Sequence, residues 1–182
     1  MTRDTIAPEI AALSLEEMAQ RFTARFQDRQ ADWYAFEDAR IEGFKRAQHR
    51  YIGAGASGKV GDTNVVPPGA FTLSVMFVPP GQGNASHTHE VEEVFFVLRG
   101  NLSTFLEDEA GRRVDVKLGP WDCIACPAGV IHGYQNDSLE PVWLQIMLGK
   151  GRPDLMSYAD SGLQARRDVH LHPEGASPTA RS

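Results

Sequence analysis

The second half of the chain alternates apolar and polar residues with a period of two, as β-strands buried on one side do. The clearest case is the stretch 142–148. Its two faces are Val142, Leu144, Ile146 and Leu148 on one side, and Trp143, Gln145 and Met147 on the other. Runs rich in β-forming residues predict further strands at 71–78 and 94–98, and a hairpin that joins 102–106 to 114–118. The pattern therefore predicts a domain dominated by β-strands.

The N-terminal fifty residues show helical periodicity instead. Ser14 and Glu17 have the spacing of a capping box, in which each side chain bonds the backbone of the other residue. Apolar residues then recur every three or four positions, at Leu15, Met18, Ala19, Phe22 and Phe26. A second helix is predicted from about Asp32, with Trp33, Phe36, Ile41 and Phe44 as its apolar positions. We expect this aromatic segment to pack on the outside of the β-domain or across a dimer interface.

The stretch 94–98 is apolar at every position. Phe95 and Val97 belong to one face, and Val94, Phe96 and Leu98 to the other. A strand that is apolar on both faces needs cover on both, either from a helix or from another subunit. A homodimer is therefore predicted, because two-fold dimers are the commonest closed oligomers.

The stretch between 81 and 100 contains the side chains with the most chemistry. On one unbroken strand His87, His89 and Glu93 would share a face. Glu90 and Glu92 would point away from that face, as solvated charges. Imidazole and carboxylate groups on one face form a nitrogen and oxygen site for a divalent transition metal. His132 is the candidate for a fourth ligand.

These residues also carry a family pattern, and the chain resembles a cupin. The first cupin motif is matched at every defined position, by Gly81, His87, His89, Glu93 and Gly100. The second is matched by Pro127, Gly129, His132 and Asn136. Its leading glycine is replaced by Trp121, directly after Gly119 and Pro120, so the departure concerns the local turn and not the metal ligands.

The resemblance implies an all-β dominated fold: a single antiparallel jelly-roll barrel with an N-terminal helical extension. The expected division of the chain is a helical extension at 1–50, the cupin barrel at 51–150, and a C-terminal extension at 151–182. The last ten residues, 173–182, have the composition of a disordered tail.

The resemblance further implies one divalent metal per chain, held by His87, His89, Glu93 and His132. Iron is expected first, with manganese, nickel, zinc, cobalt and copper as alternatives. Three imidazoles and one carboxylate leave positions open for substrate or dioxygen, which is typical of catalytic metals. Besides Glu93, the candidate catalytic residues are Tyr134, two positions after His132, and Gln145, the polar amide of strand 142–148.

Two classes of function fit this site. The first is an enzyme acting on a small organic molecule, with an iron-type dioxygenase ahead of isomerases, decarboxylases, lyases and hydrolases. The second is a module that binds a small ligand or metal without turnover, as a sensor would. The complete ligand set favours the enzyme, because a pure binding role would not require it. The fold alone does not decide between the possible reactions.

Composition excludes several other classes. The 182 residues carry a net charge of −6 and lack a basic block, so nucleic acid is not an expected partner, and the helical extension is too short and too weakly basic for a DNA-reading module. No apolar run approaches membrane-spanning length, and residues 1–30 do not resemble a signal peptide. A cytoplasmic location is therefore expected.

Two shorter features invite functional interpretations that the sequence does not favour. Cys123 and Cys126 have the Cys-x-x-Cys spacing, but without a second pair we interpret them as buried, reduced thiols on opposite faces of a strand. The glycines between 53 and 61 lack the spacing and the following Lys-Ser/Thr of a phosphate-binding loop. They predict a connector or a flap near the mouth of a pocket.

Overall fold

The computed structural model describes residues 4–171, so the tail predicted at 173–182 lies outside the described residues. The strands of this part are β1 (Ala47–Ile52), β2 (Thr72–Val78), β3 (His87–Thr88), β4 (Glu93–Arg99), β5 (Leu102–Glu107), β6 (Arg113–Leu118), β7 (Cys123–Cys126), β8 (Ile131–Gln135), β9 (Val142–Leu148) and β10 (Ser157–Tyr158). The α-helices are α1 (Pro8–Ala11), α2 (Leu15–Arg21) and α3 (Ser161–Leu171). Short 3-10 turns lie at Phe26–Asp28, Asp38–Arg40 and Gly55–Ser57.

The strands form two five-stranded sheets whose pairs are all antiparallel. One sheet has the order β1-β2-β9-β4-β7 and the other β10-β3-β8-β5-β6. Residues of both sheets meet in one apolar core, where Phe95 and Leu144 of the first sheet pack with Leu102 and Tyr134 of the second. The predicted all-β fold is confirmed.

Burial follows the alternation that the sequence shows. Along β2 and β9 every second side chain is buried, and in β9 these are Val142, Leu144, Ile146 and Leu148. β9 lies between β2 and β4 in the sheet, with Leu144 opposite both Met76 and Val97. Truncating a large core side chain such as Phe95, which is 0% exposed, to alanine should cost about 3–5 kcal/mol.

The predicted hairpin is confirmed as β5 and β6, which pair from Leu102–Leu118 to Glu107–Arg113. The turn between them contains Asp108, whose carboxylate accepts hydrogen bonds from the backbone N–H groups of Ala110 and Arg112. Gly111 in the same turn has a φ of 74°, which glycine adopts without steric cost. The turn residues therefore account for where the hairpin reverses.

The N-terminal segment is less helical than predicted. The capping box is confirmed, since Ser14 accepts from the Glu17 N–H and Glu17 accepts from the Ser14 N–H. The apolar face predicted for this helix is only partly covered within the described chain, because Met18 is half-buried and no residue of α2 is fully buried. Phe26, the last apolar position of the predicted helix, lies beyond α2, and its ring contacts His49 and Trp143 on the outer side of the sheet.

The helix predicted from Asp32 is wrong. Asp32 forms an isolated antiparallel bridge with Gln48, and its carboxylate accepts hydrogen bonds from the Tyr34 N–H, Arg50 and Lys59. A short polar side chain that bonds nearby backbone competes with helix formation. Trp33 contacts the Phe77 ring edge-on at 6.1 Å, so the aromatic residues of this segment cover the sheet without forming a helix.

The edges of the barrel differ from the expected boundaries. β1 begins at Ala47 and pairs with β2, so the sheet starts before residue 51. β10 and α3 were not expected after residue 150. The Asp160 carboxylate accepts a hydrogen bond from the Leu163 N–H at the start of α3, which is an N-cap signal that the sequence did contain.

Two smaller expectations have mixed outcomes. Cys123 and Cys126 are both free thiols, but Cys126 is buried whereas Cys123 is exposed, so the prediction that both are buried is wrong for Cys123. The paired strand explains this, because residues three apart point to opposite faces. Within residues 4–171, no helix is long and apolar enough to cross a membrane.

Candidate metal centre

The four predicted ligands come from three strands and one loop. His87 on β3 lies directly opposite His132 on β8, whereas Glu93 opens β4 in the other sheet. His89 lies just after β3, and its carbonyl accepts a hydrogen bond from the Gly129 N–H. The expectation that His87, His89 and Glu93 share a face of one unbroken strand is therefore wrong. These three side chains and His132 converge instead where the two sheets meet.

The ligand atoms of this cluster all lie within 4.8 Å of one another. Glu93 Oε2 is 2.8 Å from His132 Nε2, 3.3 Å from His87 Nε2 and 3.4 Å from His89 Nε2. All four residues are buried, with exposures of 1–5%. Three imidazole nitrogens and one carboxylate thus face a common point in the barrel.

Backbone carbonyls fix the orientation of two of the imidazole rings. His87 Nδ1 lies 2.9 Å from the Ala85 carbonyl, and His132 Nδ1 lies 2.7 Å from the Val130 carbonyl. A neutral imidazole that donates through Nδ1 has its lone pair on Nε2, which is the form that binds metals. These carbonyls therefore hold both rings with Nε2 directed at the centre of the cluster.

The protonation of the cluster also suits a metal. Burial lowers the pKa of His87, which favours the neutral ring even though Glu93 opposes this. Burial alone would raise the pKa of Glu93, but His89 and the hydrogen bonds with His132 and His87 hold that pKa well below its usual value. An ionised carboxylate beside imidazole nitrogens fits a divalent transition metal.

A small cavity of about 20 Å³ adjoins the cluster, which is room for about one water molecule. Part of its wall is apolar, with Ile146, Leu148 and Met156. Another part is polar, lined by Arg46, Gln48, Thr72, Ser74, Asn84 and Tyr134 beside the candidate ligands. A cavity with this lining can hold a small polar molecule next to the candidate metal position.

Tyr134 is brought to this cavity, as expected. Its side chain is 1% exposed, packs edge-on against Phe95, and its hydroxyl has no hydrogen-bond partner. Burial raises the pKa of Tyr134 although the Arg46 charge opposes the shift, so the hydroxyl stays protonated and remains a donor.

Gln145 is not brought to the cavity. The buried residues of β9 that line the cavity are Ile146 and Leu148, and Gln145 lies on the opposite, half-buried face with Trp143 and Met147. The alternation of the strand sets this placement. The expectation that Gln145 lines the pocket is therefore wrong.

Sequence reasoning missed the buried ion pair beside the cavity. Arg46 donates to Asp38 Oδ1 at 2.9 Å, and the two side chains are 2% and 0% exposed. Asp38 also accepts from the Tyr158 hydroxyl and the Ala85 N–H. Neither charge lies in a motif or in a strand, so no local pattern in the sequence indicated the pair.

The second cupin motif departs from its pattern at a strained position. Trp121 has a φ of 75°, and it is the only non-glycine residue with positive φ in the described chain. Left-handed backbone costs a residue with a Cβ atom about 1–2 kcal/mol. The turn is retained because the Trp121 N–H donates to the Val97 carbonyl and Asp122 accepts from the Gly119 N–H.

A family model described as a cupin domain matches residues 74–147. This span contains all four residues of the cluster. No curated protein matches the chain.

Solved structures repeat the architecture at low sequence identity. An oxalate decarboxylase from Lactobacillus farciminis, in a formate complex, superposes with a TM-score of 0.53 at 14% identity over 74% of this chain and 36% of its own. An oxalate oxidase gives 0.51 at 14% identity over 65% of this chain and 57% of its own. A protein from Thermus thermophilus is 25% identical over 47% of this chain and 78% of its own, with a TM-score of 0.41. The chain thus spans less than two thirds of the length of the two oxalate enzymes, and at these identities the likeness concerns the fold.

Proposed function

Since this chain carries a cupin domain over residues 74–147, we propose that it is a metal-dependent enzyme that acts on a small organic molecule. The observation that carries the proposal is the convergence of His87, His89, Glu93 and His132 on one point beside a polar cavity. A closed structural site would fill its coordination from the protein, whereas four ligands leave positions for a substrate on a metal that takes five or six.

The residues at this site would have different roles. The three Nε2 atoms and a Glu93 oxygen would hold the metal, and the carbonyls of Ala85 and Val130 would keep two of the rings in place. When bound, the metal supplies Lewis acidity and, if it is iron, an electron for dioxygen. The Tyr134 hydroxyl is placed to donate a hydrogen bond to a molecule in the cavity.

Within this class we propose an iron-type dioxygenase. The support is the single carboxylate among neutral imidazoles, which lowers the charge of the centre and makes bound iron an easier electron donor. The test is dioxygen uptake by protein reconstituted with Fe²⁺ under anaerobic conditions, screened over aromatic acids and diketones. Uptake that requires both iron and one of these substrates would support the proposal, and conversion of a substrate without uptake would place the chain among the non-redox enzymes.

The second candidate is a binding module without turnover, and the small volume of the cavity favours it. A cavity of about 20 Å³ admits little more than a water molecule unless its walls move. Phe36, Ala56 and Met156 line both this cavity and an outer cleft of about 240 Å³. Ala56 lies in the glycine-rich segment, so movement of that segment would join the cavity to the outer cleft. In a binding module without turnover, the cavity and the cleft would stay separate.

We propose a homodimer as the assembly. The outward residues Val94, Phe96 and Leu98 of β4 and Trp143 and Met147 of β9 are half-buried and lie on one face of the first sheet. Trp121, 73% exposed, contacts Phe96 at the border of this face. Light scattering at micromolar concentration should give twice the chain mass of 20.0 kDa, and the monomer mass would contradict the proposal.

A further inference from the structure

The cavity beside the candidate metal position holds two buried hydrogen-bond donors without partners. They are Arg46 Nε and the Tyr134 hydroxyl, on side chains that are 2% and 1% exposed. Both residues line the cavity together with His87, His89 and Glu93. Buried polar atoms are almost always paired in folded proteins, so two unpaired donors in one small cavity need an explanation.

The Arg46 guanidinium is fixed on its other sides. Nη2 donates to Asp38 at 2.9 Å and Nη1 donates to the Phe44 carbonyl at 3.0 Å. The Phe36 ring packs against the guanidinium, with its centroid 4.8 Å from Cζ. These contacts leave Nε as the donor without a partner, held by a side chain that cannot reorient without breaking the buried ion pair.

The Tyr134 hydroxyl is held in a similar way. The backbone N–H of Tyr134 donates to Asn84 Oδ1 at 2.7 Å, and the Tyr134 ring packs on Phe95. The charge of Arg46 acts on this hydroxyl, so the two donors belong to one electrostatic environment. They offer two hydrogen bonds to whatever occupies the cavity, one of them from a guanidinium whose charge is balanced by Asp38.

We propose that Arg46 and Tyr134 recognise a carboxylate group, so that the substrate of this site is a small organic acid. The inference rests on the proposed function, because it assumes that the substrate occupies the cavity beside the metal ligands once the wall toward the outer cleft has moved. A carboxylate is acceptor-only and carries the charge that a guanidinium favours. A neutral substrate of the same shape would accept weaker hydrogen bonds from the two donors.

The metal would add to this recognition without replacing it. Glu93 places a negative charge on the same cavity, and that charge would repel an organic acid. A divalent cation among the four ligands offsets this charge, after which the two donors decide how the acid is oriented. The site therefore has a cation-binding side and an anion-orienting side.

The test is isothermal titration calorimetry of Zn²⁺-loaded protein with acetate and with acetamide, which have nearly the same shape. Zinc has no redox chemistry, so binding is measured without turnover. Wild type should bind acetate more tightly than acetamide. Tyr134→Phe should weaken acetate binding by about tenfold, since it removes one hydrogen bond to a charged group, and should weaken acetamide binding by less, since that hydrogen bond is to a neutral carbonyl.

A second variant tests the guanidinium. Arg46→Lys keeps a cation for Asp38 but loses the Nε donor and the planar geometry, so acetate affinity should again fall at least about tenfold. If Arg46→Lys does not fold, Tyr134→Phe is the deciding variant, because it removes only the hydroxyl and keeps the ring that packs on Phe95. An acetate preference that survives in the folded variants would mean that the metal alone attracts the carboxylate, and would overturn the inference.

The outcomes separate this inference from the proposed function. Protein that holds one metal and converts a neutral substrate would overturn the carboxylate inference and leave the enzyme proposal standing. Protein that holds no metal but keeps an Arg46-dependent preference for acetate would overturn the enzyme proposal and leave the carboxylate inference standing. Metal content is therefore measured on the samples used for titration.

Discussion

Asp38 and Glu93 are both carboxylates buried in the barrel, with exposures of 0% and 4%, but the chain surrounds them differently. Asp38 pairs with Arg46 and accepts further hydrogen bonds from the Tyr158 hydroxyl and the Ala85 N–H. The hydrogen-bond and ion-pair partners found for Glu93 among the described residues are the three histidines. Arginine is always charged, whereas an imidazole is charged only when it is protonated.

The difference shows where the chain is complete and where it needs something from outside. A buried carboxylate without a countercharge is costly by several kcal/mol. At Asp38 the countercharge is part of the sequence. At Glu93 it must be a proton shared with an imidazole or a bound cation, and the carbonyl contacts of His87 and His132 favour the cation by directing Nε2 inward.

The largest effect is expected from breaking the complete pair. Arg46→Met leaves Asp38 buried without its cation and should lower the free energy of unfolding by about 3–5 kcal/mol, whether or not metal is present. Urea denaturation measures this. Arg50→Met, on the strand that follows Arg46, is the control, because Arg50 pairs with Asp32 and Asp62 nearer to solvent and its loss should cost about 1 kcal/mol or less. Equal losses in the two variants would contradict the distinction between buried and half-buried pairs.

A smaller effect is expected from neutralising the incomplete site. Glu93→Gln keeps the shape and an oxygen ligand but removes the charge, so metal affinity should fall at least about tenfold. The metal-dependent rise in melting temperature should shrink accordingly, as scanning calorimetry with and without Mn²⁺ would show. If the chain is a redox-using dioxygenase, this variant should also lose most turnover while keeping some metal. Near wild-type turnover with metal in place would contradict the role assigned to the charge.

The smallest effect is expected from a change outside both the Asp38–Arg46 pair and the candidate metal site. Gln145→Leu changes a polar residue on the face of β9 that points away from the cavity. Metal affinity should be unchanged and the free energy of unfolding should move by about 0.5 kcal/mol or less. Equilibrium dialysis against Mn²⁺ checks the first and urea denaturation the second. A loss of metal in this variant would mean that β9 presents its other face to the site.

Much of the barrel could be predicted because local pattern and burial agree there. The alternation in β9 and the turn of the β5–β6 hairpin are properties of neighbouring residues, and the structure follows them. The cluster of His87, His89, Glu93 and His132 was found from spacing together with the cupin resemblance. The argument that His87, His89 and Glu93 share a face of one strand was incomplete, because β3 and β4 belong to different sheets.

The remainder depends on contacts that are distant in sequence. Asp38 and Tyr158 are 120 residues apart, and no local pattern indicates that they meet. The helix expected from Asp32 failed because its side chain bonds Arg50 and Lys59 and its backbone bridges Gln48. Gln145 was assigned to the pocket for its polarity, although the alternation of its own strand already placed it with Trp143 and Met147.

The central claim is that Glu93 and the three histidines hold one divalent metal per chain. Its most direct test is elemental analysis of protein purified without added metal and then dialysed against Mn²⁺ or Fe²⁺, compared with the His87→Ala/His132→Ala double variant. Circular dichroism confirms that the double variant is folded before its metal is counted. The account predicts about one metal per wild-type chain and little in the variant, because an open site has no spare ligand to recruit. Full metal content in the folded double variant, or none in the wild type, would contradict it.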